Sequence, residues 1–149
     1  MEPGLDYIGV NVGFICHDGN GKVLLHLRSD TCRDEHNTWD AGGGQVEFGE
    51  TLRDALMREV REEYGCEPLE VRHIAQLDLL REHVGKKTHW LANIFAVRVD
   101  PEQVRVMEPD RNLGNQWYTL DGLPEPLHTV LRKVFGEFKE QISMHINGR

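Results

Sequence analysis

The sequence predicts a single α+β domain in which a mixed sheet packs between helices. Three observations carry this. Short segments with apolar residues at every second position recur along the chain, which is strand period. One helical segment, Thr51–Tyr64, lies between two groups of strands. A second, amphipathic one closes the chain.

The elements follow in order. Over Tyr7–Cys16, Ile8, Val10, Val12 and Phe14 alternate as a strand. His17-Asp18-Gly19-Asn20-Gly21 is turn chemistry, and Lys22–Arg28 is the second strand of an expected hairpin. Ser29–Thr38 is polar and aperiodic, a loop of about ten residues, a length often tied to function. Trp39 leads into Gly42-Gly43-Gly44 and a short strand over Gln45–Phe48, closed by Gly49. Thr51–Tyr64 reads as a helix stopped by Gly65. Val71–Glu82 and Thr88–Val99 are two longer strands around the connection His83–Lys87, and Gln116–Leu120 is a short one. Leu127, Val130, Leu131, Val134, Phe135 and Phe138 then recur at helical spacing, predicting a helix over Leu127–Ile142.

Composition narrows the function. The chain has 149 residues and 39% hydrophobic residues, enough for one domain with a real core. A net charge of −8 argues against stable nucleic-acid binding, which needs a basic surface. It leaves a phosphate substrate open, because a bound cation reverses the sign of a site locally. Cys16, Cys32 and Cys66 are scattered and match no zinc spacing, so free thiols in a reducing cytoplasm are expected. The N-terminus resembles no secretory signal, and no segment has the ~20 apolar residues that cross a bilayer.

The chemistry concentrates in Gly44–Cys66, GQVEFGETLRDALMREVREEYGC. On a helical wheel with Glu59 at zero, Glu62 falls at about 300° and Glu63 at about 40°. The three acids share one face bordering the apolar stripe of Leu56, Met57, Val60 and Tyr64. Like charges at this spacing repel by roughly a few tenths of a kcal/mol per pair, and the negative end of the helix dipole adds a similar penalty. A divalent cation removes both, and clustered carboxylates suit Mg²⁺ or Mn²⁺. The competing reading is a solvated acidic face paired with Arg53, Arg58 and Arg61. The glycine-rich turn before the helix favours the cation, because a backbone carbonyl or amide there approaches a ligand closely. Glu50 stands at the helix entrance, two turns from Arg58, and the two are expected to bridge.

This segment resembles the Nudix box, G-x5-E-x7-R-E-U-x-E-E-x-G-U with U bulky and apolar. Gly44, Glu50, Arg58, Glu59, Val60, Glu62, Glu63 and Gly65 match, and Cys66 is a less usual final apolar residue. The resemblance extends from Tyr7 to about Ile142 in the order of elements. It implies the Nudix fold over residues 1–149 as one domain. It also implies hydrolysis, by water attack on phosphorus, of a nucleoside diphosphate linked to a group X.

The resemblance also implies roles. Glu59, Glu62 and Glu63 would hold Mg²⁺, which Mn²⁺ can replace, with a carbonyl of Gly44 or Gly43 as a further ligand. Glu50 and Gly65 are structural, and Arg58 supports the glutamates. Glu62 is the first choice of general base and Glu108 its rival. Glu108-Pro109-Asp110-Arg111, then Gln116-Trp117-Tyr118 and Leu120-Asp121-Gly122-Leu123-Pro124, is similar to a pattern in members that cleave nucleoside triphosphates. Arg28, Trp39, Gly43, His89 and Trp90 are candidate substrate contacts, with Trp39 divided between core and substrate. Gly42 replaces the proline that members commonly carry before the paired glycines. Markers of the ADP-ribose and dinucleoside-polyphosphate branches are absent after Cys66.

The expected substrate is therefore a nucleoside triphosphate, unmodified or oxidised. A nucleotide sugar, dinucleotide or RNA cap is the alternative for the same chemistry, and a non-catalytic nucleotide-binding domain the alternative of another class. A homodimer would agree with the family's habits.

Overall fold

The computed structural model describes residues 1–147. Its strands are β1 (Gly9–His17), β2 (Lys22–Arg28), β3 (Trp39–Asp40), β4 (Gly42–Gln45), β5 (Glu70–His83), β6 (Lys86–Arg98) and β7 (Asn112–Thr119). Helix α1 spans Leu52–Tyr64 and helix α2 spans Thr129–Ile146. The main sheet runs β3-β2-β1-β6-β5, with β4 paired to β1 and β7 to β2.

Side-chain alternation builds two apolar layers on one sheet. Val12, Phe14 and Cys16 of β1 face α1 and meet Leu24, Phe95, Val97, Leu56, Val60 and Tyr64. Ile15 points the other way and meets Val23, Leu25, Ala92 and Ile94 beneath Leu131, Val134, Phe135, Ile142 and Ile146 of α2. The sheet is thus sandwiched between helices, as expected.

The hairpin of β1 and β2 exists only at its turn, where His17 pairs with Val23. One edge of β1 carries β6 in parallel from Gly9↔Trp90 to His17↔Arg98. The other edge is taken by β4, from Asn11↔Gln45 to Phe14↔Gly42. β2 diverges to pair with β7. Alternation marks β1 as a strand but carries no information about its partner, so the sequence suggests the nearest one. The glycine segment is likewise displaced: the strand is Gly42–Gln45, not Gln45–Phe48, because the three glycines lie flat against β1.

Other boundaries moved for local reasons. His83 pairs with Lys86 around Val84 and Gly85, both in the left-handed region, so the expected five-residue connection is a two-residue turn. α2 runs past Ile142 because Ile146, four residues on, continues the buried stripe. The start of α1 is capped by Thr51, whose side chain accepts from the Asp54 N–H at 3.0 Å. Gly65, at φ 65°, ends it with an N–H bonded to the Arg61 carbonyl. No helix among the described residues is long and apolar enough to cross a membrane.

Candidate active site

The site forms where α1 crosses the glycine strand. Apolar residues on one side of α1 fix its rotation, and the three glutamates then project along the cleft rim. Gly44 is the closest approach: a Cβ built there would fall on the Glu59 carboxylate. Only a glycine leaves room for that side chain. The Gly43 N–H donates to Glu63 Oε2 at 3.2 Å.

Arg58 ties the cluster together. Its Nε and Nη2 donate to Glu50 at 2.7 and 2.9 Å, its Nη1 to Glu59 at 2.7 Å and to Glu62 at 3.3 Å, and its Nη2 to the Gln45 carbonyl at 3.1 Å. The expected bridge to Glu50 is therefore present. Its hydrogen bonds hold the Glu50 carboxyl down to about 2. Arg61 instead pairs with Glu67. The acidic face is therefore served by one arginine, not by the ladder of three in the competing reading.

One guanidinium does not balance this much negative charge. Burial pushes the Glu63 carboxyl well above its ordinary range; the Gly43 hydrogen bond opposes this, while Glu59, Glu108 and Asp40 add to it. Burial also raises Glu59 against the pull of Arg58, and Glu62 adds to the rise. Crowded, partly buried carboxylate oxygens beside a strand stripped of side chains fit a hard divalent cation. Glu59, Glu62 and Glu63, with the glycine backbone, are the residues that would hold it.

The glutamates open onto a cleft of about 790 Å³. Gly43, Gly44, Glu108, Trp90 and Arg28 line it as well, so five of the expected groups share one cleft with the three acids. Glu108 faces the site from its loop, whose backbone carbonyl at Glu108 accepts from the Arg111 and Asn112 N–H groups. Arg28 is present but its donors are engaged: Nε and Nη2 bond Asp34, and Nη1 bonds Asp40 at 3.3 Å. It braces the cleft wall.

Two expected substrate contacts are corrected. Trp39 stacks edge-on against Tyr118 at 5.4 Å within the α2-side core and does not line the cleft. Its backbone also bridges to Leu127 just before α2. Trp39→Ala is expected to cost about 3 kcal/mol of stability, as large aromatic truncations do, with KM for nucleotide unchanged; urea melts and steady-state kinetics check this. His89 neighbours Trp90 on β6, so its side chain takes the opposite face. It bonds Asp78 at 2.8 Å and lines a separate depression near Leu5, Tyr7 and Leu80.

Sequence reasoning missed another set of cleft residues. Arg81 of β5 bonds Glu35 at 2.7 Å. Glu35 also accepts from the N–H and hydroxyl of Thr129 at the start of α2 and approaches His128 at 3.2 Å. Asp34, Glu35 and His128 come close enough to share an ion, but Arg28 and Arg81 already neutralise that cluster. The long loop Ser29–Thr38 was the available signal. Its partners lie in remote strands and could not be read from it. His26 was missed as well; it lines the cleft and bonds Tyr64.

Comparison with known proteins agrees with this architecture. The NUDIX domain model matches residues 8–138. The chain is 46% identical over 66 residues to an RNA pyrophosphohydrolase of Acinetobacter baylyi, covering 44% of this chain and 37% of that one. It is 30% identical over 118 residues to an 8-oxo-dGDP phosphatase of Mus musculus, covering 75% of this chain and 33% of that one. The chain thus spans about a third of the length of these relatives. The solved MutT NUDIX hydrolase of Burkholderia pseudomallei superposes with a TM-score of 0.77 at 28% identity, covering 89% of this chain and 98% of that one. With the family model spanning the sheet, the box helix and most of α2, the chain belongs to the Nudix family.

Proposed function

We propose that this single domain is a divalent-cation-dependent pyrophosphohydrolase. Its substrate is a nucleoside triphosphate, unmodified or oxidised, cleaved to a monophosphate and pyrophosphate. The observation that supports this best is that Glu59, Glu62 and Glu63 line one cleft, with the Glu59 carboxylate against Gly44. When bound, Mg²⁺, or Mn²⁺ in its place, polarises phosphoryl oxygens and lowers the pKa of a bound water.

The chain's own groups do the rest. Glu59 and Glu63 are fixed by Arg58 and by the Gly43 N–H, so the site is organised before substrate arrives. Glu62 is the most open of the three, with its side chain 52% exposed. It takes the proton from the attacking water, and Glu108, facing it across the cleft, is the rival for that role. Trp90 offers an aromatic surface to the nucleoside. The buried thiols of Cys16 and Cys66 fit a reducing compartment such as the cytoplasm.

A second reading, the same chemistry on an RNA end such as a cap, is favoured by the Acinetobacter baylyi relative, whose name is RNA pyrophosphohydrolase. A panel of nucleoside triphosphates, their oxidised forms, nucleotide sugars, dinucleotides and capped RNA, each with Mg²⁺ and scored by released products, decides between them. Turnover of a free triphosphate above RNA supports the first reading. Binding without turnover of any of them would point to a nucleotide-binding domain instead.

A further inference from the structure

His26 has no counterpart in the box. It sits on β2, on the face turned towards α1, directly opposite Asp40 of β3. Its ring meets Tyr64 edge-on at 5.8 Å between centroids, and its Nδ1 lies 2.7 Å from the Tyr64 hydroxyl. Tyr64 follows Glu63 in α1 and is sealed in the core at 1% exposure.

The direction of that hydrogen bond follows from satisfaction of polar groups. Among the described residues, the Tyr64 hydroxyl has no other partner. A buried hydroxyl without an acceptor costs about 1–3 kcal/mol. Tyr64 therefore donates, and His26 Nδ1 accepts. A neutral imidazole that accepts at Nδ1 carries its proton on Nε2. Burial keeps the ring neutral by pulling its pKa below the usual value, Asp40 opposing and Arg28 assisting.

That leaves an Nε2–H with no partner among the described residues. Among the described residues no unpaired side-chain nitrogen or oxygen is sealed from solvent, so Nε2 is accessible, and His26 lines the cleft. Three donors of the box and its wall are spent: Arg28 on Asp34 and Asp40, Arg58 on the glutamates, the Gly43 N–H on Glu63. The carboxylates of Glu59, Glu63, Asp40 and Glu108 line the same cleft and can only accept, while Arg111 adds a cationic donor on its lining.

We propose that His26, set in its Nε2–H tautomer by Tyr64, is an uncharged hydrogen-bond donor to a non-bridging phosphoryl oxygen of the substrate. This rests on the pyrophosphohydrolase reading. An uncharged donor suits the place. It binds an anionic oxygen without adding a positive charge beside a cation site. Its direction is fixed in advance, so little reorganisation is needed when charge develops on that oxygen.

Four variants and one spectrum test it. His26→Phe keeps the ring and removes the donor; kcat/KM is expected to fall about 10- to 100-fold. His26→Gln restores an N–H and should recover part of the loss. Tyr64→Phe frees the tautomer and should cost less, about 3- to 10-fold, and Tyr64→Phe combined with His26→Phe should be no worse than His26→Phe alone. Nitrogen-15 spectra of the imidazoles should show His26 as the Nε2–H tautomer in the parent and a mixture in Tyr64→Phe. Thermal melts accompany each variant; should His26→Phe unfold, His26→Gln and Tyr64→Phe carry the kinetic comparison. An Nδ1–H spectrum, additive losses in the double variant, or turnover by folded His26→Phe within twofold of the parent overturns the proposal. Absence of turnover in the parent with an intact Nε2–H signal instead sinks the pyrophosphohydrolase reading, and this role with it.

Discussion

Glu63→Gln is expected to lower kcat about a thousandfold while raising the Tm of the cation-free protein. A thousandfold corresponds to about 4 kcal/mol of transition-state stabilisation, the scale on which a lost charged ligand is felt. The stability gain has a separate origin. Glu63 is a partly buried carboxylate among Glu59, Glu108 and Asp40, and its folded-state pKa lies well above the ordinary value. A carboxyl raised in this way helps the fold fully below its unfolded pKa, and that help is lost as pH rises through the folded value. The parent should therefore lose stability from the mildly acidic range upward, and Glu63→Gln should show a flatter profile. Gln retains an oxygen to accept the Gly43 N–H, so the local structure survives. Added Mg²⁺ should raise the Tm of the parent and do much less for the variant, because a ligand stabilises only the state that binds it. Melts across pH, with and without Mg²⁺, together with kcat, read all of this. Parent-like kcat in Glu63→Gln would remove the glutamate cluster from the reaction.

Gly44→Ala should be nearly as damaging from a single added methyl group. The new Cβ would overlap the carboxylate of Glu59, and the strand cannot retreat because it is paired to β1 through Val12↔Gly44. Glu59 must swing away from Arg58 instead. Overpacking of this kind costs about 1–3 kcal/mol of stability. A misplacement of about 1 Å in a catalytic constellation costs on the order of a hundredfold in rate. Gly136→Ala, where nothing stands within 4 Å, is the matched control and should leave activity intact. Equal kcat/KM in the two variants would show that Glu59 does not need its present position.

Much of this was legible because local rules govern it. The helix 52–64 announces itself by Thr51, its apolar stripe and Gly65, and that stripe alone places Glu59, Glu62 and Glu63 on one side. The fold class follows from alternation and helical spacing. What was not legible depends on which strands meet. Nothing in β1 says that β6 is its parallel partner, and nothing near Glu35 points to Arg81 or Thr129. Trp39 and His89 failed as substrate contacts for the same reason. Trp39 was divided between core and substrate from its place before the glycines, and His89 was read with Trp90 on a strand facing the cleft, whereas strand pairing decides which face each side chain takes. Arg28 reached the cleft, yet its donors were already claimed by Asp34 and Asp40, a fact visible only once the loop has folded back.

The parallel seam between β1 and β6 also bears on how the molecule comes into being. Gly9 must wait for Trp90, and His17 for Arg98, before the middle of the sheet can zip. Loop-closure entropy makes such distant pairings slow, so folding should be late and concerted instead of progressing from the first residues made. During synthesis the box helix emerges long before the strand that backs its platform. A fragment ending at Cys66 would keep every signature residue and still lack a cleft.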